Sequence, residues 1–139
     1  MHIDGGCHCG NITYEAEADP EKAIICHCTD CQTMSGAPFN AVIPVSESDF
    51  KLKSGTLKMY VKTAESGNKR AQMFCPDCGS RIYATSVDDA PNGGPKTFGV
   101  RLGSVNQRAE LTPRRQIWHR SAMPWIDEMV EIPSHETTP

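Results

Sequence analysis

Seven cysteines gathered in three tight clusters constrain this chain more than any other feature: Cys7-His8-Cys9, Cys26-His27-Cys28-Thr29-Asp30-Cys31 and Cys75-Pro76-Asp77-Cys78. An odd number cannot pair off completely as disulfides. The opening Met-His-Ile-Asp-Gly-Gly-Cys has neither the basic region nor the apolar core of a signal peptide, so a cytoplasmic, reducing location is the expectation. In such surroundings clustered cysteines read as metal ligands, zinc above all.

The flanking residues sort the clusters. Gly10 follows Cys9 and Gly79 follows Cys78. Two closely spaced cysteines hold a metal at the tip of a tight turn, and a glycine beside the second relieves backbone strain there. Cys7, Cys9, Cys75 and Cys78 together supply four thiolates, the closed tetrahedral set of a structural zinc site. That site would tie the first strand to a hairpin in mid-chain.

Cys26, Cys28 and Cys31 remain, and Gln32 rather than glycine follows the last of them. Thr29 or Asp30 reads as the N-cap of a short helix over residues 30–35 ended by Gly36, which places Cys31 in the first turn. Helix N-terminal amides favour the thiolate there. Three protein ligands with a fourth position open is the pattern of catalytic zinc. Alternatively His27, His119 or another residue closes the site, although His27 (like His8 at the other cluster) sits between ligands and on an extended stretch would point away. Three thiolates around Zn²⁺ leave one net negative charge, so the centre should acidify water less than a three-histidine site, which reaches a pKa of about 7. A soft external thiol suits it better than oxygen chemistry. Zinc held this way should also be labile, leaving two of the three cysteines able to form a disulfide.

At 139 residues, with 38% hydrophobic and 22% charged residues, the chain is long enough for one domain with a true core. We expect a single zinc-binding domain over 1–132 and a polar tail over 133–139. No apolar run reaches the ~20 residues of a membrane helix. A formal charge of −3 argues against nucleic acid as partner, and the Arg114-Arg115 pair is too small to change that. Alternating or β-rich runs at 12–18, 23–26, 39–45, 56–62, 70–75, 81–87 and 97–102 predict a mainly-β fold, with Pro44 marking a strand end or sheet edge. Residues 88–96, rich in proline and glycine, form a loop.

G-G-C-H-C-G (5–10) with Tyr14, C-H-C-T-D-C-Q-T-M-S-G-A-P-F (26–39) and F-C-P-D-C-G-S-R-I-Y (74–83) resemble the glutathione-dependent formaldehyde-activating enzymes, whose superfamily includes centromere protein V. R-L-G-S-V-N (101–106) and W-H-R-S-A-M-P-W (118–125) look like its later blocks, so the resemblance spans roughly 3–126. It implies a small, mainly-β antiparallel zinc fold with few short helices, related to Rab-exchange-factor-like zinc proteins. It implies two zinc ions, one on Cys7, Cys9, Cys75 and Cys78, the other on Cys26, Cys28 and Cys31 with substrate completing its shell. The implied reaction is carbon–sulfur bond formation, glutathione plus formaldehyde giving S-hydroxymethylglutathione. The partners would be a glutathione-like thiol and a small aldehyde.

A glutathione site needs cations for two carboxylates, and Lys69, Arg70, Arg81 and Arg101 are the candidates. Phe39 could wall the pocket, Gln32 could orient a carbonyl or cap its turn, and Trp118, His119 and Trp125 could close over the site. Two other classes stay open: a non-catalytic zinc-binding interaction module, and a thiol or metal redox sensor using the triplet.

Overall fold

The computed structural model describes residues 1–139. Ten strands and one α-helix follow in the order β1 (His2–Gly6), β2 (Thr13–Glu17), β3 (Ile24–Cys26), α1 (Thr29–Ser35), β4 (Asn40–Ser46), β5 (Phe50–Ser54), β6 (Lys58–Thr63), β7 (Lys69–Phe74), β8 (Arg81–Ser86), β9 (Thr97–Arg101) and β10 (Arg115–Ile117), with short 3₁₀ turns between and after them. They form a three-stranded sheet, β1-β2-β5, and a seven-stranded sheet, β10-β3-β4-β9-β8-β7-β6. All pairings are antiparallel except that of β10 with β3, which is parallel. The mainly-β expectation holds, and no helix is long and apolar enough to cross a membrane.

The period-2 alternation explains how the sheets stack. On β2, Tyr14 and Ala16 point inward, and on β9 Phe98 and Val100 do the same. These side chains join Ile3, Ile43, Val45 and Ile82 in one buried cluster between the sheets. Aromatic rings bridge the layers: Phe50 stacks on Tyr14 at 5.0 Å and meets Phe98 edge-on at 5.4 Å, while Phe98 lies parallel to Tyr83 at 4.0 Å.

The strand at 39–45 does not end at Pro44. It runs to Ser46 inside the larger sheet, and Pro44 pairs with Gly99 of β9. On its other side β3 reaches only Val42, so Pro44 lies where one flank of β4 has no neighbour, the local edge a missing N–H requires. Three strands lie outside the periodic runs: β1, β5 and β10. The helix starts one residue early, and its N-cap is Cys28, not Thr29 or Asp30. The thiol of Cys28 accepts the bond from the Cys31 amide at 3.2 Å, the role an N-cap oxygen otherwise fills. Residues 133–139 contain no helix or strand and are exposed.

Candidate metal centres and the cavity beside them

Cys7 and Cys9 stand in the turn between β1 and β2, Cys75 and Cys78 in the turn between β7 and β8. The two turns are built alike. Gly10 N–H donates to the Cys7 carbonyl at 3.2 Å and Gly79 N–H to the Cys75 carbonyl at 2.9 Å. Both glycines have positive φ, 85° and 78°, where a Cβ would be strained. Cross-links hold the turns together: His8 N–H donates to Ser80 Oγ at 3.0 Å and Asn11 Nδ2 to Asp77 Oδ2 at 2.8 Å. The four sulfurs consequently lie within 4.8 Å of one another.

That geometry fits zinc. With Zn–S near 2.3 Å, a tetrahedron sets its sulfurs about 3.8 Å apart; Cys7 and Cys9 are separated by 3.5 Å and Cys9 and Cys75 by 3.8 Å. The electrostatics point the same way. The Ser80 hydroxyl and amide hold the Cys78 thiol down to about 5. Although the Asn11 amide pulls the other way, Cys7 helps push Cys9 up to about 12. Four thiols this close cannot all ionise without a cation among them.

Cys26 ends β3, Cys28 caps α1 and Cys31 lies in its first turn, and their sulfurs also fall within 4.8 Å of one another. A hydrogen bond from Cys31 lowers Cys26 to about 6, while the Cys26 thiolate and burial drive Cys31 strongly upward. The donor set is soft and suits zinc, but it has only three members. Neither candidate histidine joins it. His27 is fully buried, with Nε2 2.6 Å from Gln116 Oε1 and no partner for Nδ1. His119 packs edge-on to the His27 ring at 5.3 Å. Gln32 neither caps the turn nor reaches into the cavity. Its Nε2 donates to the carbonyls of His27 at 2.8 Å and Ser121 at 2.9 Å, fastening the C-terminal segment onto the triplet loop.

The triplet opens on a cavity of about 640 Å³. Arg70 of β7 and Arg101 of β9 line it, whereas Lys69 is exposed outside it and Arg81 faces a neighbouring cleft. Burial lowers the pKa of both Arg70 and Arg101, and Arg101 is held up in part by the thiolates of Cys31 and Cys26. Its Nη2 donates to Gln72 Oε1 at 2.9 Å. The sequence reading missed Lys62 and Gln72. Lys62 crosses from β6 to Asp30 of α1 at 2.8 Å, and only the strand pairing brings it there. Of the aromatic candidates, only Trp118 lines the cavity. It has φ 55°, unusual for a non-glycine residue, with Arg120 over its ring at 4.9 Å and Arg120 in turn bonded to Glu65 at 3.0 Å. Phe39 sits edge-on to His27 at 5.8 Å, and Trp125 is exposed away from the cavity. Arg114 pairs with Glu21 on the surface.

Comparison with known proteins gives the family and the fold. The family model described as glutathione-dependent formaldehyde-activating enzyme matches residues 2–121. Among solved structures, a crystal structure of a Rhodobacter sphaeroides protein is similar with a TM-score of 0.58 at 22% identity, the match covering 81% of this chain and 98% of that one.

Proposed function

Because the chain belongs to the family of glutathione-dependent formaldehyde-activating enzymes, we propose that it is a zinc-dependent carbon–sulfur lyase. It joins a thiol such as glutathione to formaldehyde or another small aldehyde. In this reading Cys7, Cys9, Cys75 and Cys78 hold a structural zinc, and Cys26, Cys28 and Cys31 hold a second, more labile one at the reaction site. The observation that carries it is the three-sulfur set opening on a cavity lined by Arg70 and Arg101, neither of which has a carboxylate partner.

The bound metal would supply a fourth position that favours the thiolate form of an incoming thiol. The rest falls to the chain. Arg101, half-buried beside the triplet, offsets the negative charge that the sulfurs gather. Arg70 and Lys62 offer charge to a substrate carboxylate entering the cavity, and Ile117 and Trp118 cover its side. In the reaction one carbon–sulfur bond forms as the carbonyl π bond opens. The proton given up by the thiol ends on the new hydroxyl.

The test is exchange NMR of glutathione and formaldehyde with the zinc-loaded protein. We expect formation of the hydroxymethyl adduct to speed up, and Cys31→Ser to return it to the uncatalysed rate. An uncatalysed rate with fully loaded protein, across several thiols and aldehydes, would defeat the lyase reading. Reversible disulfide formation within the triplet under the same conditions would favour a thiol sensor instead.

A further inference from the structure

The arginines divide by their partners. Arg114 and Arg120 are paired with Glu21 and Glu65, and Arg115 is exposed on β10. Arg70, Arg81, Arg101 and Arg108 have no carboxylate partner, and all four line two neighbouring clefts. The second cleft, about 520 Å³, adjoins the triplet cavity, and Arg101 and Met34 line both. Met34 stands three residues after Cys31, on the same face of α1, and its sulfur contacts Arg81 Nη1 at 3.4 Å. Arg81 is further steadied over the Phe74 ring at 5.5 Å. The rest of the lining offers donors such as Ser80, Ser104 and Asn106 together with Cys7 and His8, and no Asp or Glu; Asp4 stands behind Asn106, accepting from its Nδ2 at 2.9 Å. The triplet cavity differs, because Asp30 and Glu65 line it alongside its cations.

This asymmetry matters for a peptide with two unlike ends. The γ-glutamyl end of glutathione carries an ammonium beside its carboxylate; the glycine end carries a carboxylate alone. An ammonium set among three guanidiniums, with no carboxylate in the lining to pair with it, would be repelled. We propose that the Arg81–Arg108 cleft is the subsite for the glycine-end carboxylate, so that the γ-glutamyl end lies in the cavity with Asp30, Glu65, Lys62 and Arg70. The glycine carboxylate lies at most about 7 Å from the cysteine of the peptide, two residues of extended chain, and the two clefts share Met34 and Arg101 in their linings. This orientation rests on the thiol-binding reading of the triplet. The competing explanation is that these arginines only balance thiolate charge, since Cys7 also borders the second cleft.

Calorimetric titration of the zinc-loaded full chain with glutathione, its glycinamide form and γ-glutamylcysteine separates the possibilities. Glutathione should bind the wild type about tenfold tighter than either analogue, the value of one charge-assisted contact. Arg108→Ala and Arg81→Gln should each bring that ratio toward one. Arg108 is exposed in a 3₁₀ turn, so its loss spares the core, and glutamine at 81 keeps a side chain over Phe74. Equal wild-type affinity for all three ligands would overturn the subsite while leaving thiol binding intact. A preference that survives in both variants would place the carboxylate elsewhere and overturn it as well. Failure of all three to bind would remove the thiol reading and this inference with it.

Discussion

Replacing Cys28 by serine or by alanine removes the same proposed zinc ligand, but only alanine also removes the cap of α1. The Cys28 sulfur accepts the Cys31 amide at 3.2 Å from the N-cap position. A serine hydroxyl accepts the same bond, and serine ranks among the preferred N-cap residues, whereas alanine leaves the amide open at a cost of about 1 kcal/mol. For 139 residues, unfolding entropy of about 2.1 cal/mol/K per residue sums to roughly 0.3 kcal/mol/K, so 1 kcal/mol corresponds to about 3 °C. Differential scanning calorimetry with parallel metal analysis tests both roles. Each variant should retain one zinc per chain, with Cys28→Ala melting about 3 °C below Cys28→Ser. Equal melting temperatures would show that the thiol does not cap the helix. Two zinc ions in either variant would show that the triplet does not need Cys28.

At the four-cysteine site the consequence should be larger. Cys75 is fully buried in the core cluster, and a structural zinc contributes about 10–16 kcal/mol in small zinc modules, as much as a domain's whole stability; Cys75→Ser should therefore show no cooperative melt by circular dichroism, and a sharp melt near the wild-type temperature would contradict the structural role. Gly5→Ala would set a Cβ 2.0 Å from the Ser104 carbonyl oxygen and 2.7 Å from the Tyr14 hydroxyl, contacts only a backbone shift can relieve, so the urea midpoint should fall by the equivalent of about 3 kcal/mol or more. Burial raises the Tyr14 phenol from 10 to about 12 despite its 2.8 Å bond to Ser104. Because the unfolded chain gives up this proton first, stability is full below pH 10 and declines as the pH rises to 12, by roughly 3 kcal/mol for two pKa units; urea unfolding against pH should show this decline, and Tyr14→Phe should lack it.

The division of the cysteines into four and three was legible because it depends on local chemistry. Glycine beside Cys9 and Cys78 and its absence after Cys31 report turn geometry that neighbouring residues decide. The strand at Thr13–Glu17 was legible for the same reason, through its alternation. What stayed hidden depends on distant partners. β1 lies outside the runs read as strands, and its Gly5 is pressed against Ser104, an approach that only glycine permits. β10 has three exposed residues and becomes a strand only because β3 offers a parallel edge. The Cys28 cap was missed because sequence rules look for oxygen acceptors at that position. Lys62 and Gln72 carry no motif, and the strand pairing alone directs them to the cavity.

The two sulfur sets also differ in what holds them in place, and that difference bears on the proposed lability of the second zinc. Cys75 belongs to the core between the sheets, and cross-linked turns fix its partners, so opening that site means opening the protein. The triplet rests on a three-residue strand and a seven-residue helix, the latter too short to persist on its own. Its shape depends on lateral supports: the two bonds of Gln32, the buried His27 ring against Gln116, and the pairing of Lys62 with Asp30. Each can break without disturbing the core, so local opening at the triplet should cost far less than global unfolding. A site that opens cheaply can exchange a metal or admit a fourth ligand, which a closed four-sulfur site cannot. The same mechanical contrast that would make one zinc structural would leave the other accessible to chemistry.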